Sequence, residues 1–157
     1  MTARTKARKR ALDVLYAADV RGVDSREVLA ELVAERVAAR DSINPYTVEL
    51  VEGVHEHLER IDELLLTHAE GWALDRMPVV DRNLLRIGVF EILWQADVPD
   101  AVVASEAVEL STQISTDDSP RFINGLLSRI IDLKPMLPEG REAILAQTPA
   151  GEIPPSE

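Results

Sequence analysis

The chain has 157 residues, 46% apolar and 29% charged, with a formal charge of −11 and no cysteine. That length suits one domain burying roughly 70% of the surface its unfolded form exposes, and the missing cysteines exclude disulfides, thiolate nucleophiles and cysteine-ligated zinc. No apolar run approaches the roughly 20 residues needed to span a bilayer, and residues 11–19 carry two carboxylates where a signal peptide needs an unbroken apolar stretch, so the expected location is the cytoplasm.

Ala7, Ala11, Leu12, Val14, Leu15 and Ala18 recur at helical spacing, which predicts a first helix over 5–20 ended by Gly22. Its start is basic: Arg4, Lys6, Arg8, Lys9 and Arg10 put +5 on residues 1–10 with no acid among them. Cations in a first turn oppose the helix dipole, each at about 0.3–1 kcal/mol, so local stability does not account for the run. Two readings stand side by side. One is a solvated terminus; the other is a phosphate-binding patch, able to act on an acidic chain because fields decay over a Debye length of about 8 Å at physiological salt.

Asp24 and Glu27 have capping-box spacing before a stripe of Val28, Leu29, Leu32, Val33 and Val37. Asn44-Pro45 starts the next helical pattern, which runs through Val48, Val51, Val54, Leu58, Ile61, Leu65 and Leu66 to about residue 68, either as one helix or as two parted near Gly53 or Leu58. Within it lies His55-Glu56-His57. Helical residues two apart point about 200° from each other, so these imidazoles cannot share an ion, and no metal or cofactor is expected.

Residues 72–78 read as a short turn, because Pro78 disfavours helical geometry in the residue before it. A helix over 81–95 holds Leu84, Leu85, Ile87, Val89, Phe90, Ile92, Leu93 and Trp94, too many apolar positions for one stripe, and is expected to be central and buried. An amphipathic helix over 103–114 follows a loop at 97–100, and Ser119-Pro120 opens a last helix through Leu133 with Ile123, Leu127, Ile130 and Ile131 facing the core. Asp117-Asp118 just ahead of it suits helix capping better than acid–base catalysis, since no histidine or cysteine lies nearby in sequence.

Phe122, beside Arg121, is either a packed ring or an exposed face able to stack a base for roughly 1–3 kcal/mol, and Tyr16 admits the same two readings. Residues 135–157 hold five of the nine prolines and are expected to form a largely disordered acidic tail, with at most a turn or two over 141–147. With no β-alternation, repeat or glycine-rich phosphate loop, the class is all-α: one helical domain over 1–134, its basic arm at 1–10, and the tail.

Lys6-Ala7-Arg8-Lys9-Arg10-Ala11-Leu12-Asp13-Val14-Leu15-Tyr16 resembles the arginine-rich first helix of the NusB family of transcription antitermination factors. In the same order follow residues 75–93, with Asp75-Arg76-Met77-Pro78, Asp81-Arg82-Asn83-Leu84-Leu85-Arg86 and Phe90-Glu91-Ile92-Leu93, then Asp97-Val98-Pro99, Ser105-Glu106-Ala107-Val108-Glu109-Leu110, and 117–127 from Asp117-Asp118-Ser119-Pro120 to Leu127. Each stretch alone is weakly specific; together in register they cover roughly residues 5–133. The resemblance implies a bundle of about seven helices in two subdomains. It also implies a non-enzymatic factor that binds the single-stranded boxA sequence of nascent ribosomal-operon RNA, pairs with the small-subunit ribosomal protein NusE, and joins other Nus factors on RNA polymerase.

By position, the resemblance puts RNA contact on Arg4, Lys6, Arg8, Lys9, Arg10, Asp118, Arg121 and Phe122, and NusE contact on Tyr16, Asp75 and Asp81. Asp118 is an acid beside the implied RNA path and is expected to weaken binding. Two alternatives stay open. One is the same module serving an RNA-modifying enzyme in trans, since similar domains precede some RNA cytosine methyltransferases but this sequence has no glycine-rich Rossmann turn; the other is a helical adaptor binding only proteins, or a homodimer.

Overall fold

The computed structural model describes residues 2–70 and 72–147. These form eight α-helices: α1 Ala3–Arg21, α2 Ser25–Ala38, α3 Pro45–Glu56, α4 Leu58–His68, α5 Val79–Trp94, α6 Asp100–Ile114, α7 Ser119–Leu133 and α8 Pro138–Gln147, with single 3₁₀ turns at Leu74–Arg76 and Lys134–Met136. The helix boundaries follow local chemistry. Thr2, Asp24 and Asn44 each accept a backbone N–H of the helix they cap, and Gly22 closes α1 at φ 68°, a left-handed conformation that costs glycine no Cβ clash.

The pattern that left one helix or two over 45–68 resolves into α3 and α4, parted at His57. There φ is −105°, and the imidazole stacks on Trp94 with ring centroids 4.0 Å apart. His55 instead lies 3.4 Å from Asp24, so the two histidines serve different neighbours.

Helices α1, α2 and α3 pack on one another, α4 to α7 form a second group, and α5 joins them by touching α1, α3, α4, α6, α7 and α8. As its composition requires, α5 buries residues on every side, from Leu84 and Leu85 to Ile92 and Leu93. Gly53 makes the α3–α5 approach possible, since a Cβ there would fall on the Phe90 ring. Among the described residues no helix is long and apolar enough to cross a membrane.

The C-terminal segment departs from the expected disorder. Pro135 sits within a 3₁₀ turn and Pro138 opens α8, a first-turn position where the missing N–H costs nothing. Ala143 is buried, α8 rests on α5, and Glu139 accepts the Arg60 guanidinium at 2.6 Å. Packed structure therefore continues past residue 134; residues 148–157 lie outside the described residues.

Candidate nucleic-acid interface

Helix α1 sorts its cations by phase. Arg4, Lys6, Lys9 and Arg10 are exposed, whereas Ala7, Arg8, Ala11 and Leu12 face inward. Lys6, Lys9 and Arg10 stand three and four residues apart on one helix face, and among the described residues they form no ion pair with a carboxylate. Lys6 and Arg10 line a notch of about 230 Å³ with Arg36, Ser42, Asn44 and Thr47, so a cation from α2 joins those of α1. Arg36 itself is held by Asp41 at 2.9 Å. Arg4 lies 4.4 Å over the Tyr46 ring and pairs with Asp97 at 3.1 Å, both side chains about half exposed or more. Exposed pairs of this kind contribute roughly 0–1 kcal/mol, so Arg4 can exchange its partner.

Arg8 does not belong to that surface, contrary to the sequence expectation. Only 3% of it is exposed. Its Nε and Nη2 each donate to the Glu91 carboxylate at 2.9 Å, and Tyr46 Oη donates to Glu91 Oε2 at 2.6 Å. Burial works against the Arg8 charge, but the Glu91 hydrogen bonds and charge outweigh it and hold the guanidinium above its ordinary value. Burial, then the Glu91 charge, pushes the Tyr46 hydroxyl up as well, which keeps it protonated as the donor. The arginine that looks like a phosphate ligand thus pins α1 to α5.

The opposite end of α5 organises the turn between α6 and α7. Asp81, 2% exposed, accepts the Ser115 hydroxyl at 2.6 Å and the Ser119 hydroxyl at 2.7 Å, while Ser119 Oγ accepts from Thr116 N at 3.2 Å. Asp81 is therefore not available as a surface contact for a protein partner; it fixes the turn that carries Asp118 and Phe122. The Asp118 side chain makes no capping bond to α7 and is exposed, so the start of that helix is secured by Ser119 and Pro120 instead. Phe122 is partly buried, and its ring meets that of Trp72 at 5.7 Å and 50°.

A hub one turn further along α1 than Tyr16, which is 42% exposed, ties that helix to the segment carrying the exposed Asp75. Asp19 Oδ2 accepts from Arg82 Nε at 2.8 Å and Asn83 Nδ2 at 3.0 Å, and Arg82 Nη1 donates to the Leu74 carbonyl at 2.9 Å beside Asp75. Burial of Asp19 opposes its charge, but hydrogen bonds from Arg82 and Asn83 prevail and hold the carboxyl below its ordinary value.

Two clusters result. Arg8 meets Glu91 near the C-terminal end of α5, while Asp81 holds the Phe122 turn near its N-terminal end, and the intervening ten residues span about 15 Å at 1.5 Å each. The basic end of α1 and Phe122 are thus tied to opposite ends of α5 and make separate candidate footholds. Arg36 and Trp72 escaped sequence reasoning: Arg36 lies outside every family-like stretch, and only tertiary packing tells that Trp72 is 52% exposed.

Among the described residues no buried side-chain nitrogen or oxygen lacks a partner. The interior polar groups are occupied in holding helices together, and what the surface offers is charge and ring faces on a rigid helical frame. That is the equipment of a small helical binding module. The chain belongs to the NusB family, whose model matches residues 5–132, a family of transcription antitermination factors rather than enzymes. It is 58% identical over 137 residues to the transcription antitermination protein NusB of Nocardioides sp. (strain ATCC BAA-499 / JS614), covering 87% of this chain and 99% of that one. The fold matches NusB of T. maritima with TM-score 0.73 and 31% identity, over 83% of this chain and 92% of that one. It also matches a chain in a solved complex of the antitermination factors NusB and NusE with dsRNA, with TM-score 0.71 and 31% identity, over 82% and 96% of the two chains.

Proposed function

We propose that this chain is a transcription antitermination factor that binds boxA RNA of nascent ribosomal-operon transcripts together with NusE and joins a Nus complex on RNA polymerase. The observation that carries the RNA reading is the set of four accessible cations, Arg4, Lys6, Lys9 and Arg10, on one helix end of an otherwise acidic chain. They neutralise phosphates, Phe122 and Arg121 take a base and its phosphate at the second foothold, and the acidic remainder repels RNA bound elsewhere. Tyr16 and Asp75 offer NusE a ring and a carboxylate, and net acidity suits a basic ribosomal protein. A relative's complex with NusE and dsRNA on the same fold supports both partners.

The test is fluorescence anisotropy of a boxA RNA and a scrambled control across a salt series, with this protein alone and with NusE. Four single-strand phosphate contacts on α1 and a fifth at Arg121 give a slope of log K against log salt of about −3.5, compared with about −4.2 had Arg8 been a sixth. Preference for boxA, strengthened by NusE and lost on neutralising Lys9 and Arg10, is the expected result. Equal, weak binding to both RNAs in every condition would overturn the proposal.

A further inference from the structure

Trp72 is among the exposed large apolar side chains, at 52%. It is tilted 50° against Phe122, and the two rings form a corner with an open cleft on either side. One cleft, about 250 Å³, is bordered by His68, Glu70, Arg121, Gly125 and Arg129; the other, about 450 Å³, by Met77, Pro78, Thr116, Asp118 and Arg121. Nothing lies within 4 Å of where a Cβ on Gly125 would stand, so the first cleft is open toward α7. Arg129 is held by Glu70 at 2.8 Å and by the His68 carbonyl at 2.9 Å. Arg121 is exposed and in no ion pair among the described residues.

We infer that Trp72 is a stacking platform for an unpaired RNA base, completing with Phe122 a two-walled base site whose neighbouring phosphate is met by Arg121. The inference rests on the RNA reading above and adds a residue to it. Half exposed, the indole presents part of an apolar, electron-rich face to solvent, and a nucleobase has the flat complement of that face. Packing against Phe122 holds the indole in place, so stacking costs little side-chain entropy. A free guanidinium that borders both clefts fits a base that carries a phosphate better than it fits an apolar peptide. A base inside a duplex hides both faces in its own stack, so the site selects single-stranded RNA.

The chain has two tryptophans, and Trp94→Phe keeps a ring in the His57 stack while leaving Trp72 as the sole emitter. In that background, titration with single-stranded boxA RNA is expected to quench Trp72 emission, and the same sequence as a duplex is not. Trp72→Ala should weaken single-strand affinity roughly 5- to 150-fold with no change in salt slope, because no phosphate contact is lost, and Trp72→Phe should retain most of it. Full affinity and slope in Trp72→Ala, with no quenching in the reporter, would sink the platform and leave the RNA reading intact. No binding by any variant, with or without NusE, would remove both. A change in Trp72 emission on adding NusE alone, and none with RNA, would make the corner a protein site and also overturn the inference.

Discussion

Replacing Arg8 by Met tests its assignment to the interior, because a buried tie and a phosphate ligand fail in different assays. The substitution keeps the length of the side chain and removes its charge, leaving a Glu91 carboxylate that is 1% exposed with the Tyr46 hydroxyl as its remaining donor. Removing one partner of a buried pair costs about 3–5 kcal/mol, against a total stability of about 5–15 kcal/mol for a domain. With a urea m-value of about 2 kcal/mol/M, the unfolding midpoint followed by far-UV circular dichroism should fall by roughly 1.5–2.5 M. Adding Glu91→Gln removes the stranded charge while keeping an acceptor for Tyr46, and should recover most of the loss. Protein that remains folded should bind RNA with an unchanged salt slope, whereas Lys9→Gln should leave the midpoint alone and flatten the slope by about 0.7. An Arg8→Met midpoint equal to the parent's, combined with weakened RNA binding, would refute the assignment of Arg8 to the interior.

Other outcomes follow from the same geometry. Asp118→Asn removes an exposed acid beside Arg121 and Phe122 and should raise boxA affinity, by about twofold or more at low salt; a titration showing equal or weaker binding would take Asp118 away from the RNA path. Gly53→Ala pushes a methyl into the Phe90 ring and should cost about 1–3 kcal/mol in thermal unfolding. Gly125→Ala points into open space on α7 and should gain about 0.5–1 kcal/mol; the reverse order of the two would contradict the α3–α5 packing. The side-chain and then the backbone hydrogen bonds from Arg26 lower the Asp24 carboxyl to about 2. Because this folded value is depressed, its stabilisation is complete above the ordinary carboxylate range and is lost as pH falls from about 4 to about 2. Carboxyl-detected NMR would follow that titration, and a midpoint near 3.8 would mean the cap is not formed.

The all-α class and the centrality of α5 are legible because helical periodicity and capping are local: Gly22, Asp24, Asn44-Pro45 and Ser119-Pro120 mark helix ends by chemistry that acts within a few residues. The C-terminal segment is not legible, for the complementary reason. Proline density argues against a helix interior, but Pro138 stands at a first turn, and α8 is held by contacts with α5 and Arg60, far away in sequence.

Among the candidate contacts, the sequence by itself determined residue type and order: a basic α1, an aromatic after Ser119-Pro120, a carboxylate at position 81. Only the tertiary structure decided which of them reach the surface. Arg8 and Lys9 are neighbours in the chain, yet successive helical residues point about 100° apart, so one enters the interior to meet Glu91 and the other faces solvent. Asp81 turns inward for the same reason, toward two serines more than thirty residues away, and Trp72 stays half exposed beside Phe122. Whether a charge or a ring is a ligand contact or a structural tie depends on partners that only the folded chain brings within reach.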